Sequence, residues 1–395
     1  MTKALRLGGN GYPNHNPASR SIGIVTTASL PWFTGTSVLP LFRAVFLNQQ
    51  GQQTTLYLPW LKPAQQHYCF ENLQFYHPDE QRAYIYQWLP NELRKWMPEI
   101  QFYKAWLYKP WTSIFPIQSF SRLVAQDTVI LEEPEHLFYF QPWSGLKRKR
   151  RHVTGIVHTN YKKYTEAHPD FNRRMFYKYN RGLMQWVCHH LICTSSVHQD
   201  VCRLPHCAVE NVNGVNPLFF RQVNPQSQQG YYFIGKLIPE KGLAELFEGL
   251  QAVGMPTIDL FGQGDRAWVK ALAANYSITP IFKGVSQQPW HDLAGYKLFI
   301  NCSESEHLCT TTAEALAMQK WVIIPRHPSN EFFYQFQNCL VYENRPEFKR
   351  HFLYALAHEP KYDPNTAKLS WEAATQRLLK RMAIPLEKQV AELAL

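Results

Sequence analysis

Short apolar runs, each ending in a polar or glycine-bearing turn and separated by helix-length segments, occur in two series along this chain. The first holds Ser21-Ile22-Gly23-Ile24-Val25-Thr26-Thr27, Thr54 to Trp60, Asp127-Thr128-Val129-Ile130-Leu131, Gly155-Ile156-Val157-His158-Thr159-Asn160-Tyr161 and His190-Leu191-Ile192-Cys193. The second holds Tyr231-Tyr232-Phe233-Ile234, Asp259-Leu260-Phe261, Phe282-Lys283-Gly284-Val285, Lys297-Leu298-Phe299-Ile300 and Trp321 to Pro325. Between them Val223-Asn224-Pro225-Gln226-Ser227-Gln228-Gln229-Gly230 is polar and without period, a linker by composition. Continuous apolar runs bounded by turns read as strands of a buried parallel sheet, and their alternation with helical segments predicts α/β architecture. Two such series predict two Rossmann-like domains facing a cleft. The expected boundaries are 1–222, 223–360 and a terminal segment 361–395 whose helix crosses back onto the first domain.

Open α/β sheets place ligands beyond the carboxyl ends of their strands, so the residues that follow each run are the candidates. After Ile300 comes Asn301-Cys302-Ser303-Glu304-Ser305-Glu306-His307-Leu308-Cys309-Thr310-Thr311-Thr312-Ala313-Glu314-Ala315-Leu316-Ala317-Met318, a polar loop running into strong helix formers from Ala313. The free N–H groups and dipole of a helix start suit an anionic phosphate at Thr310 to Thr312. Glu306 and Glu314 would accept hydrogen bonds from sugar hydroxyls. Thr311 and Glu314 also fit a capping box, and the two roles do not exclude each other.

After Ile234, the turn Gly235-Lys236-Leu237-Ile238-Pro239-Glu240-Lys241-Gly242 sets two bases, Lys236 and Lys241, at a helix start, where they can neutralise phosphate charge. Gly262 and Gly264 either let the backbone approach a ligand or form a tight turn. In the first series the candidates are Gly35 and Thr36 in the turn that opens a helix through about Asn48, then Glu132, Glu133 and His136 after Leu131. His158 ends the next run, with Asn160 two positions on.

At 395 residues and 45% hydrophobic content the chain can fill two ordinary cores. Its net charge of +11 implies an anionic partner, either a nucleotide-sugar, an anionic bilayer or nucleic acid. From Lys147 to Arg181 there are eleven bases against Glu166 and Asp170. The run 147–151 and the aromatic, basic stretch from Trp88 to Trp111 suit a bilayer headgroup layer, while a core helix would use the same aromatic residues. The eight cysteines are scattered. Cys188, Cys193, Cys202 and Cys207, with nearby histidines, lack the paired spacing of a zinc site, so no metal is expected. No run of about 18 apolar residues is present. Met1 to Arg20 lacks the apolar centre of a secretory signal, so a peripheral, cytoplasmic-side protein is expected.

These words carry a resemblance. The E-x(7)-E spacing from Glu306 to Glu314 and the G-K-x-x-x-x-K-G word at 235–242 resemble the family-4 retaining glycosyltransferases. Leu308 to Met318, His327-Pro328-Ser329-Asn330-Glu331-Phe332-Phe333, Val157-His158-Thr159-Asn160-Tyr161 and Leu41-Phe42-Arg43-Ala44 are similar to words of the digalactosyldiacylglycerol synthases within that class. The resemblance spans most of Ile22 to about Glu347. It implies a GT-B fold, UDP-galactose as donor, monogalactosyldiacylglycerol as acceptor at an anionic membrane surface, and no divalent metal. It implies that Lys236 and Lys241 bind the diphosphate, Glu306 the donor sugar and Glu314 the ribose, with His158 at the reacting face. Asn213 departs from the family's His, which leaves a donor-side contact there open.

Overall fold

The computed structural model describes residues 21–70, 73–109, 113–141, 146–149, 151–159, 173–197, 201, 203–221, 229–303 and 306–382. Two sheets organise them. The first has eight strands, β1 Ser21–Val25, β2 Gln53–Trp60, β3 Glu99–Tyr108, β4 Ser113–Pro116, β5 Thr128–Glu132, β6 His152–Val157, β7 His190–Cys193 and β8 Cys207–Val209. Their order is β4-β3-β2-β1-β5-β6-β7-β8, and every pairing is parallel except β3 with β4. The second has six strands, β9 Tyr231–Ile234, β10 Thr257–Phe261, β11 Thr279–Gly284, β12 Leu298–Ile300, β13 Trp321–Pro325 and β14 Cys339–Tyr342, in the order β11-β10-β9-β12-β13-β14. All its pairings are parallel.

Alternation along the strands divides the first sheet between two cores. Val25, Leu131, Val157 and Cys193 point to one face, and their neighbours Ile24, Ile130, Ile156 and Ile192 to the other. Strands apolar on both faces are what a parallel sheet covered by helices requires. The described α-helices of five residues or more are α1 Gly35–Gln49, α2 Pro78–Trp88, α3 Pro134–Phe138, α4 Arg173–Val187, α5 Leu243–Val253, α6 Arg266–Ala274, α7 Thr310–Ala317, α8 Arg345–Ala357 and α9 Trp371–Met382. Helix α9 buries Trp371, Ala374, Leu378 and Met382, a helical stripe, in the cluster that holds Leu41, Phe42, Val45 and Phe46 of α1. The C-terminal helix therefore packs on the first sheet's unit, and Val215 N–H donates to Leu369 O at 2.8 Å where the chain crosses back.

The aromatic stretch turns inward. Trp88, Leu89, Trp96, Met97 and Phe102 pack into the core on the α1 side, and Tyr103 is fully buried on the other face. These rings serve packing rather than a surface belt; Trp111 lies outside the described residues. In the basic run, Lys147 donates to the carbonyls of Gln185 and Cys188 at 3.1 and 2.9 Å, closing the end of α4 with a cation where the helix dipole favours one. Cys188 and Cys193 are buried in the same core.

Strand order reverses between β1 and β5 in the first sheet and between β9 and β12 in the second. A crevice opens at such a reversal, because the crossover connections on either side leave in opposite directions. Val25 lies beside Leu131 and Phe299 beside Tyr232. The segments that leave these four strands therefore start side by side.

Candidate active site

On the first sheet the two carboxylates after β5 are held differently. Glu132 is fully buried and takes Arg43 Nε on one oxygen at 2.6 Å and His158 Nε2 on the other at 2.5 Å. Burial alone would raise its pKa, but the Arg43 charge and the His158 contact outweigh that and hold it down at about 2. An ionised carboxylate only accepts, so the bonded Nε2 carries a proton and donates it. Glu133 sits in the left-handed region at φ 58° and accepts from Thr27 Oγ1 at 3.3 Å and from Thr159 Oγ1.

Arg43 is the residue that reading the sequence missed. It is 1% exposed in the middle of α1, and its other nitrogens donate to Val212 O at 2.6 Å and to Asn213 Oδ1 at 2.8 Å. A lone arginine within Leu41-Phe42-Arg43-Ala44-Val45 was the available signal, since a buried cation must be paired. Asn213 is thus engaged as the acceptor for Arg43. Gly214 is committed as well, because a Cβ there would meet Trp371 Cα at 2.5 Å.

His136 goes elsewhere. Its ring stacks on Phe115 at 4.7 Å and its Nε2 meets Ile114 O at 3.2 Å, tying α3 to the β3–β4 hairpin. Burial lowers its pKa, which favours the neutral ring. Gly35 is exposed at the first turn of α1, beside Thr36, whose carbonyl accepts from Thr26 Oγ1. Asn160 lies outside the described residues.

On the second sheet, Lys241 Nζ is hydrogen-bonded to Glu306 Oε1, joining the turn after β9 to the loop after β12. Gly242 makes that closeness possible: at φ +71° its missing Cβ would strike Cys302 O at 2.4 Å. Lys236 is exposed. Helix α7 starts at Thr310 after Cys309, two residues earlier than a Thr311 cap would place it. The expected capping box does not form, and no side chain caps the α7 start. Glu314 is partly exposed, and desolvation raises its pKa to about 8. Gly262 and Gly264 answer to the protein's own backbone. A Cβ at Gly262 would lie 1.8 Å from Gly235 O, and one at Gly264 2.3 Å from Leu237 O. Backbone N–H groups of Gly235, Leu237 and Gly262 donate to Phe261, Gln263 and Gly284, lacing three strand ends together.

The two halves meet beside Glu306. His307 Nδ1 is 2.7 Å from Thr194 Oγ1 and 3.3 Å from Ser195 Oγ, just past the end of β7. Ser196 Oγ donates to Glu331 Oε2 at 2.6 Å.

Digalactosyldiacylglycerol synthase 2 of Arabidopsis thaliana is 38% identical to this chain over 398 residues, covering 92% of this chain and 82% of its own length. The chain belongs to the digalactosyldiacylglycerol synthase family. Digalactosyldiacylglycerol synthase 1 of Glycine max is 39% identical over 400 residues, 93% of this chain and 50% of that one. The chain thus spans about half the length of the synthase 1 relatives and more than four fifths of the synthase 2 relatives. No protein-family model matches it.

Solved structures share the family's fold at low identity. A glycosyltransferase from Rickettsia africae aligns with a TM-score of 0.57 at 15% identity, over 95% of this chain and 97% of its own. A lipopolysaccharide outer core galactosyltransferase aligns at 0.58 and 14%, over 92% and 99%. Both are GT-B glycosyltransferases, and this synthase-family chain has the GT-B fold.

Proposed function

We propose that this chain is a retaining galactosyltransferase that moves an α-galactosyl unit from UDP-galactose to the 6-hydroxyl of monogalactosyldiacylglycerol, producing digalactosyldiacylglycerol. The family relationship supports the substrates. The observation that carries the site assignment is the Lys241–Glu306 ion pair, formed at the second sheet's strand-order reversal by residues from two separate loops.

In this reading the C-terminal unit holds the nucleotide-sugar. Lys236, Lys241 and the start of α7 at Thr310 and Thr311 stabilise the diphosphate as the sugar bond breaks, supplying positive charge where a metal ion would otherwise be used. No divalent metal is required on this account. Glu306, oriented by Lys241, accepts from the galactosyl hydroxyls, and Glu314 accepts from the ribose. The acceptor hydroxyl approaches on the face the diphosphate leaves, and a diphosphate oxygen takes its proton, so configuration is retained. His158, its Nε2 held by Glu132, offers Nδ1 to a hydroxyl of the transferred sugar. The N-terminal unit holds the acceptor, with Thr36 and Glu133 on the same edge.

A lipid acceptor brings the enzyme to a bilayer as a peripheral protein. No described helix is long and apolar enough to cross one. The test is transfer of labelled galactose from UDP-galactose to monogalactosyldiacylglycerol vesicles without added metal, comparing wild type with Glu306→Gln and Lys241→Ala. Digalactolipid formation that both variants lose supports the reading. Transfer of a different sugar, or to a different acceptor, would overturn the substrate assignment and keep the site.

A further inference from the structure

One short segment of the first unit carries contacts to two loops of the second. Thr194, Ser195 and Ser196 follow β7. Thr194 Oγ1 and Ser195 Oγ converge on His307 Nδ1 at 2.7 and 3.3 Å, and all three residues are buried. Ser196 Oγ donates to Glu331 Oε2 at 2.6 Å and reaches Pro328 O at 3.4 Å.

The second of those loops is the word from His327 to Phe333, which the donor site leaves unused. It is braced from within: Asn330 Nδ2 donates to Pro325 O at 2.9 Å, and Tyr334 donates its hydroxyl to His327 O at 3.0 Å. Ser329 and Asn330 are fully buried, and Glu331 beside them is exposed and turned to Ser196. Water competes for that outer contact, so the buried bond to His307 holds the two units together more firmly.

Strand register gives the buried bond its meaning. Val157 pairs with Cys193 across β6 and β7, so the residues that follow them, His158 and Thr194, leave the sheet side by side. On the second unit His307 directly follows Glu306, which Lys241 holds. The bond from Thr194 to His307 therefore joins the immediate neighbours of two groups, one from each unit, that are assigned to the transferred sugar. A hydrogen bond persists over only about half an ångström of separation. At this point it gauges the spacing of the units.

We propose that Thr194 and His307 are positioning residues for the transfer, their bond fixing the distance across the cleft from His158 to Glu306. This rests on the reading above, in which both of those groups meet the galactosyl unit. The test compares Thr194→Val, which removes the hydroxyl and keeps the shape, with Thr194→Ser, which keeps the hydroxyl. Thr194→Val is expected to lower kcat for galactose transfer by roughly ten- to a hundredfold. Its affinity for UDP by calorimetry should stay at the wild-type value, because the diphosphate is assigned to Lys236, Lys241 and the start of α7. Thr194→Ser should retain most of the wild-type kcat. Thr194→Val/His307→Phe should lose no more than the worse of its two single variants, since both remove one bond.

A second measurement needs no turnover. With UDP bound, amide hydrogen exchange in the peptide that carries His307 should be faster in Thr194→Val than in wild type or Thr194→Ser. Transfer by Thr194→Val at the wild-type rate overturns the proposal. So does a loss of UDP affinity in step with kcat, because the substitution then acts on the fold as a whole. Wild type that moves no galactose, beside faster exchange in Thr194→Val alone, keeps the joint between the units and drops the substrate assignment. Wild type that moves galactose, beside a fully active Thr194→Val, keeps the assignment and drops the joint.

Discussion

Arg43 and His158 are bonded to the two oxygens of one carboxylate, Glu132, at 2.6 and 2.5 Å. The guanidinium keeps the buried carboxylate ionised, and the carboxylate fixes Nε2 of the imidazole as a donor. A cation on the first helix of the domain thereby reaches a ring at the cleft.

Replacing Arg43 by Met strands a buried anion, a change that costs about 3–5 kcal/mol. Glu132 in wild type is depressed to about 2, so its contribution to stability is present above the unfolded value of about 4.3 and is lost as pH falls from there to about 2. Thermal melts across that window should show this acid loss in wild type and not in Arg43→Met. Undiminished stability of Arg43→Met at pH 7 would remove the cluster from the account.

Glu314 titrates in the opposite sense. Its folded value is raised to about 8 by desolvation, so the folded chain keeps a proton that the unfolded chain releases above about 4.3, and stability falls as pH rises between the two. Glu314→Gln should therefore gain on wild type by up to about 1.4 kcal/mol per pH unit between pH 5 and pH 8, with the difference closing toward pH 5. The same variant should bind UDP-sugar less tightly by calorimetry, because the ribose acceptor is gone.

Lys241 and Glu306 act as one unit if the ion pair orients both. Each single variant, Lys241→Ala or Glu306→Gln, should lower kcat by about 10²–10³-fold. The double variant should lose much less than the product of the two losses. Additive losses in a double-mutant cycle would mean that the pair does not function together.

Gly262→Ala places a methyl group where Gly235 O already lies, at a φ of +135°. Backbone stands on both sides of that contact, so the turns after β9 and β10 must separate. A stability loss of more than about 2 kcal/mol is expected in a urea melt, together with weaker UDP-sugar binding, because Lys236 is carried on the displaced turn. A wild-type melt would show that the turns are not pressed together.

Ten of the fourteen strands, and the positions after them, were legible because each is a local pattern: an apolar run, a turn, a charged residue at a fixed offset; β3, β4, β8 and β14 were not read as strands. Lys241 and Glu306 were each read as donor-site residues, but their bond to one another was not, since it joins loops that only the sheet order makes neighbours. Arg43 was passed over for the same reason. Its partners Glu132, His158 and Asn213 lie on distant segments, and within its own helix it looks like an interruption of an apolar face. Gly262 was left open between a ligand's approach and a tight turn, because local sequence does not show which backbone approaches it. The capping box failed by two residues. Helix α7 begins at Thr310, and that shift leaves Glu314 in the helix interior instead of the first-turn position that reaches back to a cap.

The two places where the chain passes between its halves are not independent. Val215 on the outward pass and Leu369 on the return are hydrogen-bonded, and Trp371 is wedged against Gly214 beside them. The two crossings are thereby tied at one point, so a side chain added at Gly214 or a smaller one at Trp371 would disturb both at once.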